Sequence, residues 1–142
     1  MNKALAILGS AALAMGVSAC SFVVRDAATY ATDTQALLAT RGGPIKACYD
    51  EALKTDSQVG GNVAVRFTVE KKTGNVLEPT LVPERTTAPP ALSDCVLNQL
   101  SGLVLDPPDR RMGDATFVWE FKANAPMQAP AAEPAPAAPP AS

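Results

Sequence analysis

From Gly60 to Pro83 the chain reads GGNVAVRFTVEKKTGNVLEPTLVP. Val63, Val65, Phe67 and Val69 share one face of an extended run, while Ala64, Arg66, Thr68 and Glu70 share the other. That is the period of two of a half-buried strand. A polar turn carrying Gly74-Asn75 leads into a second extended run, with Leu77 and Leu81 on its apolar face and Pro83 at its end. The pattern predicts a β-hairpin. Upstream, Asp33-Thr34 is the predicted cap of a short helix over Gln35 to Thr40, and Arg41-Gly42-Gly43-Pro44 breaks the chain and restarts it. A second helix to about Lys54 follows from Ile45, Cys48, Tyr49, Ala52 and Leu53, which recur at helical spacing and place Cys48 inward. Downstream, Glu84 to Pro89 is expected to be a loop. Pro89-Pro90 opens a third helix whose inner face carries Leu92, Cys95, Val96, Leu100 and Leu103, ended by Asp106-Pro107-Pro108. The last strand is predicted over Asp114 to Lys122, with Phe117, Trp119 and Phe121 on one face. The expected fold class is α+β, a small three-stranded antiparallel sheet with two to three helices packed on one face.

Composition narrows this to one domain. The chain has 142 residues and a formal charge of −2, and both ends are too biased to belong to a core, which leaves Asp33 to Lys122 as the foldable part. A domain of that size buries only about 60 to 65% of its unfolded surface, so a covalent cross-link would add needed stability. Cys48 and Cys95 face inward from two different helices and form no C-x-x-C motif. In a secreted chain the first reading is a structural disulfide, the alternative being two buried free thiols.

The secreted context comes from the N-terminus. Lys3, an apolar stretch from Ala4 to Met15 and small residues before Cys20 make residues 1–19 a signal segment. The stretch is too short for a membrane-spanning helix, which takes about 20 residues. Val17-Ser18-Ala19-Cys20 resembles the bacterial lipobox, which implies a lipidated Cys20 (palmitate among its acyl chains) as the new N-terminus. Ordinary cleavage after Ala19 is the alternative. By the same resemblance, Ser21 after the cysteine points to the outer membrane, periplasmic face. Residues 20–32 are then a tether. Residues 123–142 contain six prolines between Pro126 and Pro140 and little that could build a core, so they are expected to be a disordered Pro/Ala-rich tail.

The remaining side chains give little chemistry. There is no histidine, which removes the commonest general base and metal ligand. Asp50-Glu51 lies on a solvent-facing helix side and Asp106 and Asp109 flank a proline turn, where carboxylates ordinarily serve solvation and the backbone. Lys71-Lys72 and Arg110-Arg111 are basic doublets at loops, with anionic headgroups as a sharper but weaker reading. Interleaved charges leave no footprint for nucleic acid. No catalytic residue, metal site, cofactor or small-molecule substrate is expected, and the chain reads as a non-enzyme.

The order helix, hairpin, helix, strand, with Cys48-Tyr49-Asp50 before the hairpin and Cys95-Val96 after it, resembles the TonB C-terminal domain and more closely its AgmX/PglI C-terminal relatives. The likeness covers about Ile45 to Phe121. Where TonB-type domains carry Trp-x-Phe-Pro before the last strand, this chain has Leu103 to Pro107. A cleavable lipoprotein signal also stands in place of an inner-membrane helix. The resemblance therefore implies a partner-binding domain, not an energy transducer: a scaffold or adaptor in an outer-membrane-associated assembly that adds a client strand to a sheet edge. The candidate edge is the last strand, through Asp114, Thr116, Val118, Glu120 and Lys122. A passive lipoprotein linking outer membrane and cell wall through its Pro/Ala tail is the alternative.

Overall fold

The alternating run Gly61–Val69 forms β1, one of the two central strands of the sheet. The structure, a computed structural model, describes residues 23–123 and 129–133. Val76–Leu81 is β2, Gly113–Phe121 is β3 and Ala131–Ala132 is β4, and the antiparallel sheet runs β2-β1-β3-β4. β1 and β3 pair without interruption from Gly61↔Phe121 to Val69↔Gly113. Period two then places Val63, Val65, Phe67 and Val69 beside Phe117, Trp119 and Phe121 on a single face, and all are buried. Against that face pack the helices α1 (Ala27–Ala39), α2 (Gly42–Thr55) and α3 (Pro90–Asn98). They contribute Leu38, Ile45, Cys48, Tyr49, Leu92 and Val96 to one core. The fold is thus α+β, with four antiparallel strands and three α-helices among the described residues.

Four expectations are corrected. The second arm of the hairpin changes phase midway. Its register jumps between Arg66 and Thr68, so that Val65↔Leu81 and Val69↔Val76 both face the core while Thr68↔Leu77 faces away. Glu78 has φ +47° there. A bulge adds one residue to one strand and so inverts every side chain beyond it, which is why Val76 is buried in place of Leu77.

The expected tether is folded from Val23 onward. α1 starts at Ala27 behind an Asp26 cap, whose carboxylate accepts the Thr29 N–H at 2.8 Å. Asp33 does not cap a helix but binds Arg25 Nε at 2.6 Å, and Thr34 is buried inside α1, donating to the Tyr30 carbonyl.

α3 ends at Asn98, earlier than expected. Gly102, at φ +74°, turns the chain into an extended stretch. There Val76 N–H donates to Leu103 O at 2.9 Å and Leu105 N–H to Gly74 O at 2.8 Å. Gly74 is required at this crossing, since a β-carbon on it would collide with the Leu105 carbonyl. Leu100, Leu103 and Leu105 are all buried. A short apolar run of this kind reads equally well as helix or strand from periodicity.

Finally, the sheet has four strands where three were expected. The fourth comes from the Pro/Ala tail, whose Ala131 and Ala132 pair with Val118 and Phe117. Pairing needs only main-chain groups, so a segment without large side chains still satisfies it. The rest of the tail, residues 134–142, the segment 124–128 and the signal segment with Cys20 lie outside the described residues.

The sheet edges are treated differently. Beyond the end of β2, β1 is closed by a loop in place of a strand: Ala64 N–H donates to Thr86 Oγ1 at 3.2 Å and Asn62 N–H to Thr87 Oγ1 at 2.9 Å. β2 is an edge strand carrying Pro79 and the bulge, both features that discourage further pairing.

Cys48 on α2 and Cys95 on α3 are bonded, with their Cα atoms 5.8 Å apart. The bond closes a sequence separation of 47 residues, worth about 4 kcal/mol in the loop-closure treatment. Reduction, or the pair Cys48→Ala with Cys95→Ala, is expected to lower the unfolding free energy by about that amount in a denaturant titration. An unchanged midpoint would remove the bond from the stability account.

Candidate functional site

The site is built at the start of β3, where three segments distant in sequence meet. Asp109 is the knot. Its carboxylate accepts the Arg25 N–H at 2.9 Å and the Arg111 N–H at 2.9 Å, while Lys72 N–H donates to its carbonyl at 2.9 Å. Arg25, itself buried, places Nη1 3.8 Å from the same carboxylate and pairs with Asp33 at 2.6 Å. The Arg111 guanidinium returns to the Arg25 carbonyl. Burial pushes the Asp109 carboxyl up, but the Arg111 and Arg25 N–H groups and the two guanidinium charges outweigh it and hold it below its ordinary value. Its contribution to stability is therefore present above the ordinary carboxylate range and lost as pH falls through the lowered value.

Behind this knot a cavity of about 670 Å³ opens between the N-terminal turns of α1, the stretch Arg111 to Phe117 and the tail residues Ala132 and Glu133. Its size is that of a ligand or short-peptide site. Tyr30 forms part of the wall, and the hydroxyl end of its ring stands against Gly113, where any β-carbon would collide with it. Among the described residues the buried Tyr30 hydroxyl has no hydrogen-bond partner, and neither has Arg25 Nη1. Burial, and then the charges of Asp109 and Asp114, push the Tyr30 phenol up to about 12, against a smaller opposing effect of Arg25.

The cavity follows the outer edge of β3. Glu133 N–H donates to Thr116 O at 3.3 Å, so Thr116 directs its main-chain groups away from β1. By the alternation of antiparallel pairing, Asp114, Val118 and Glu120 do the same. β4 takes up part of this edge. Chemically the groove offers a small apolar floor, a strand edge unpaired by any described strand beyond Thr116, and two buried polar groups without a hydrogen-bond partner among the described residues, the Tyr30 hydroxyl and Arg25 Nη1.

The predicted site residues fall in separate places. Cys48 and Cys95 are joined beneath the sheet, away from the groove, and Cys20 lies outside the described residues. Of the candidate edge residues, Asp114 and Thr116 line the groove. Val118 is paired with Ala131, and Glu120 and Lys122 form an exposed ion pair at 2.9 Å beyond it. β3 is thus not the free edge expected, since the chain's own tail covers its middle. Asp114 also accepts the Thr68 hydroxyl at 2.7 Å. Asp106 does not line the groove, and Asp109 spends its carboxylate on main-chain donors. Among the described residues no three His, Cys, Asp or Glu side chains converge as a metal site requires. No helix among the described residues is long and apolar enough to cross a membrane. Arg25 and Tyr30 are the site residues that sequence reasoning missed, and Arg111, read as one of a solvated basic doublet, instead binds the Arg25 carbonyl.

Comparison with known proteins finds no matching family model, curated protein or solved structure.

Because Tyr30 holds its proton more tightly folded than unfolded, its contribution to stability is complete below about pH 10 and lost as pH rises toward 12. In a Tyr49→Phe background, phenolate absorbance near 295 nm is expected to appear around pH 12. Ionisation at an ordinary phenol pKa in folded protein would contradict the buried placement of the hydroxyl.

Proposed function

We propose that the chain is a non-catalytic envelope lipoprotein, held to the outer membrane by Cys20, whose domain is a TonB-like, AgmX/PglI-type interaction module. It serves as an adaptor by adding an extended client segment to the outer edge of β3. One observation carries the reading: β4, a bare Ala-Ala pair, is seated on that edge through main-chain contacts. An edge that accepts a strand with almost no side chain selects for extended backbone and small residues, which is the recognition mode of strand addition. The groove beside it leaves the Asp114 stretch of the same edge lined but unpaired by any described strand.

Supporting this, the element order α2, β1, β2, α3, β3 is the order the resemblance implies. The other edge of the sheet is unsuited to a partner, as Pro79 and the bulge interrupt β2. The alternative of a passive tail spacing the cell wall is less well supported, because the described part of that tail folds back onto the domain.

Val118 directs its N–H outward, so Val118→Pro deletes an outer-edge donor while leaving the β1 ladder its own donors. In a Val118→Pro protein whose near-ultraviolet spectrum is native, crosslinked envelope partners are expected to disappear from pull-downs. Partners captured in undiminished yield would exclude the β3 edge. Cys20→Ser is expected to move the protein from the membrane to the soluble fraction, and membrane retention of the cleaved variant would exclude the lipid anchor.

A further inference from the structure

The two basic doublets are distant in sequence and adjacent in the fold. Lys72 N–H donates to the Asp109 carbonyl at 2.9 Å, and Arg110 N–H donates to Val23 O at 3.0 Å. Lys71-Lys72, in the turn from β1 to β2, therefore lies beside Arg110-Arg111, in the turn into β3. All four residues are exposed. Lys46, Lys54, Arg85 and Lys122 each pair with a carboxylate elsewhere on the surface, whereas these four form no ion pair among the described residues. Two acids of the same turns are engaged internally: Glu70 accepts the Thr73 hydroxyl, and Asp109 is buried on main-chain donors. Asp106 is left as their exposed acid. This end of the sheet is thus cationic in a chain whose formal net charge is −2.

Apolar side chains gather at the same end. Among the described residues the large hydrophobic ones left exposed are Val24, Val104 and Met112. Val24 follows Val23, which bridges to Asp109, and Met112 follows Arg111. Val104 stands on the other flank of the β1 to β2 turn, bridged to Asn75. Single exposed apolar residues are ordinary, but a group of them ringed by polar residues marks a surface that meets another.

The combination selects the partner. A bilayer surface takes both kinds of side chain at once: ammonium and guanidinium groups at the phosphates, and Val24 and Met112 at the acyl boundary beneath them. The course of the chain agrees. Val23, the first described residue, is at this end, and Cys20 precedes it by three residues, at most about 11 Å of chain.

We infer that this end of the sheet, with Lys71, Lys72, Arg110 and Arg111 set around Val24 and Met112, is a docking face for a membrane bearing anionic phospholipid headgroups. The face stands on the placement of its side chains. Only its orientation in the cell, toward the membrane that holds Cys20, rests on the anchor proposed above. β1 and β3 then run away from the bilayer, and the Gly61↔Phe121 end of the sheet is held about 27 Å farther out.

The secreted Cys20→Ser protein carries no acyl chain on that residue and isolates the face. It is expected to float with vesicles containing phosphatidylglycerol at low ionic strength, to stay unbound with pure phosphatidylcholine, and to be released at about 1 M salt. Lys71→Ala and Arg110→Ala are each expected to lower the partition coefficient about fivefold. Lys46→Ala on α2, an equal loss of charge, is expected to leave it unchanged. Met112→Ser is expected to weaken binding at constant charge. In the wild-type protein reconstituted into nanodiscs, a gadolinium-bearing headgroup lipid is expected to broaden the amide signals of Val24, Lys71 and Met112 before those of Gly61 and Lys122. Absence of binding to the phosphatidylglycerol vesicles overturns the inference, as do equal losses from Lys46→Ala and Lys71→Ala. Loss of an acidic protein partner from Lys71→Ala pull-downs, with vesicle binding unchanged, assigns the patch to that protein and overturns it too. The anchor is scored separately. If the vesicles bind as expected but wild-type Cys20 carries no acyl chain, the face stands and the anchor falls. If Cys20 is acylated but both ends of the sheet broaden equally, the anchor stands and the face falls.

Discussion

α2 and α3 reach the core from opposite sides of the hairpin in sequence, and the Cys48–Cys95 bond is what holds them on one face of the sheet. Tyr49, next to one cysteine, tilts against Phe121 at 5.1 Å and donates its hydroxyl to Val59 O at 3.0 Å, while Val96, next to the other, is fully buried. The bond thus sits within the contacts that orient both helices. A core this small has little other reserve, because burial scales unfavourably with size. The Asp109 knot plays the corresponding part at the far end, fixing the N-terminal segment and the entry to β3 with main-chain donors in place of apolar surface.

The hairpin, the inward cysteines and the aromatic strand were legible because each rests on local periodicity reinforced by burial. Phase through β2 was not, since a bulge leaves no mark in a pattern of Val, Leu and Thr, and a glutamate at Glu78 gives no sign of the left-handed conformation, which usually falls to Gly or Asn. α1 carries a readable signal, with Tyr30, Thr34, Leu37 and Leu38 at helical spacing behind Asp26. The competing Asp33-Thr34 pair looked like a cap, but Asp33 was needed by Arg25 and Thr34 by the helix interior. The groove itself was illegible, because it joins residues 25–31, 109–117 and 132–133 through contacts that no local pattern carries.

At the C-terminus composition gives no sign of the short strand at Ala131 and Ala132. Ala and Pro cannot build a core, and for that reason the tail reads as disordered. Yet a strand at a sheet edge requires only that donors occur at every second residue, and side-chain bulk is irrelevant to that requirement. Proline placement matters at the opposite edge, where the single residue Pro79 blunts β2.

The long pairing of β1 with β3 has a kinetic side. These strands are neighbours in the sheet, but the hairpin return, α3 and the turn before Gly113 lie between them in sequence. Contacts of such high sequence separation slow the search for the native state. Once Cys48 and Cys95 are joined, the covalent path from Gly61 to Phe121 through the sulfurs is shorter than the path along the backbone. The oxidised chain therefore begins its search with the two halves of its sheet already brought near, and oxidation sets the pace of folding as well as its depth.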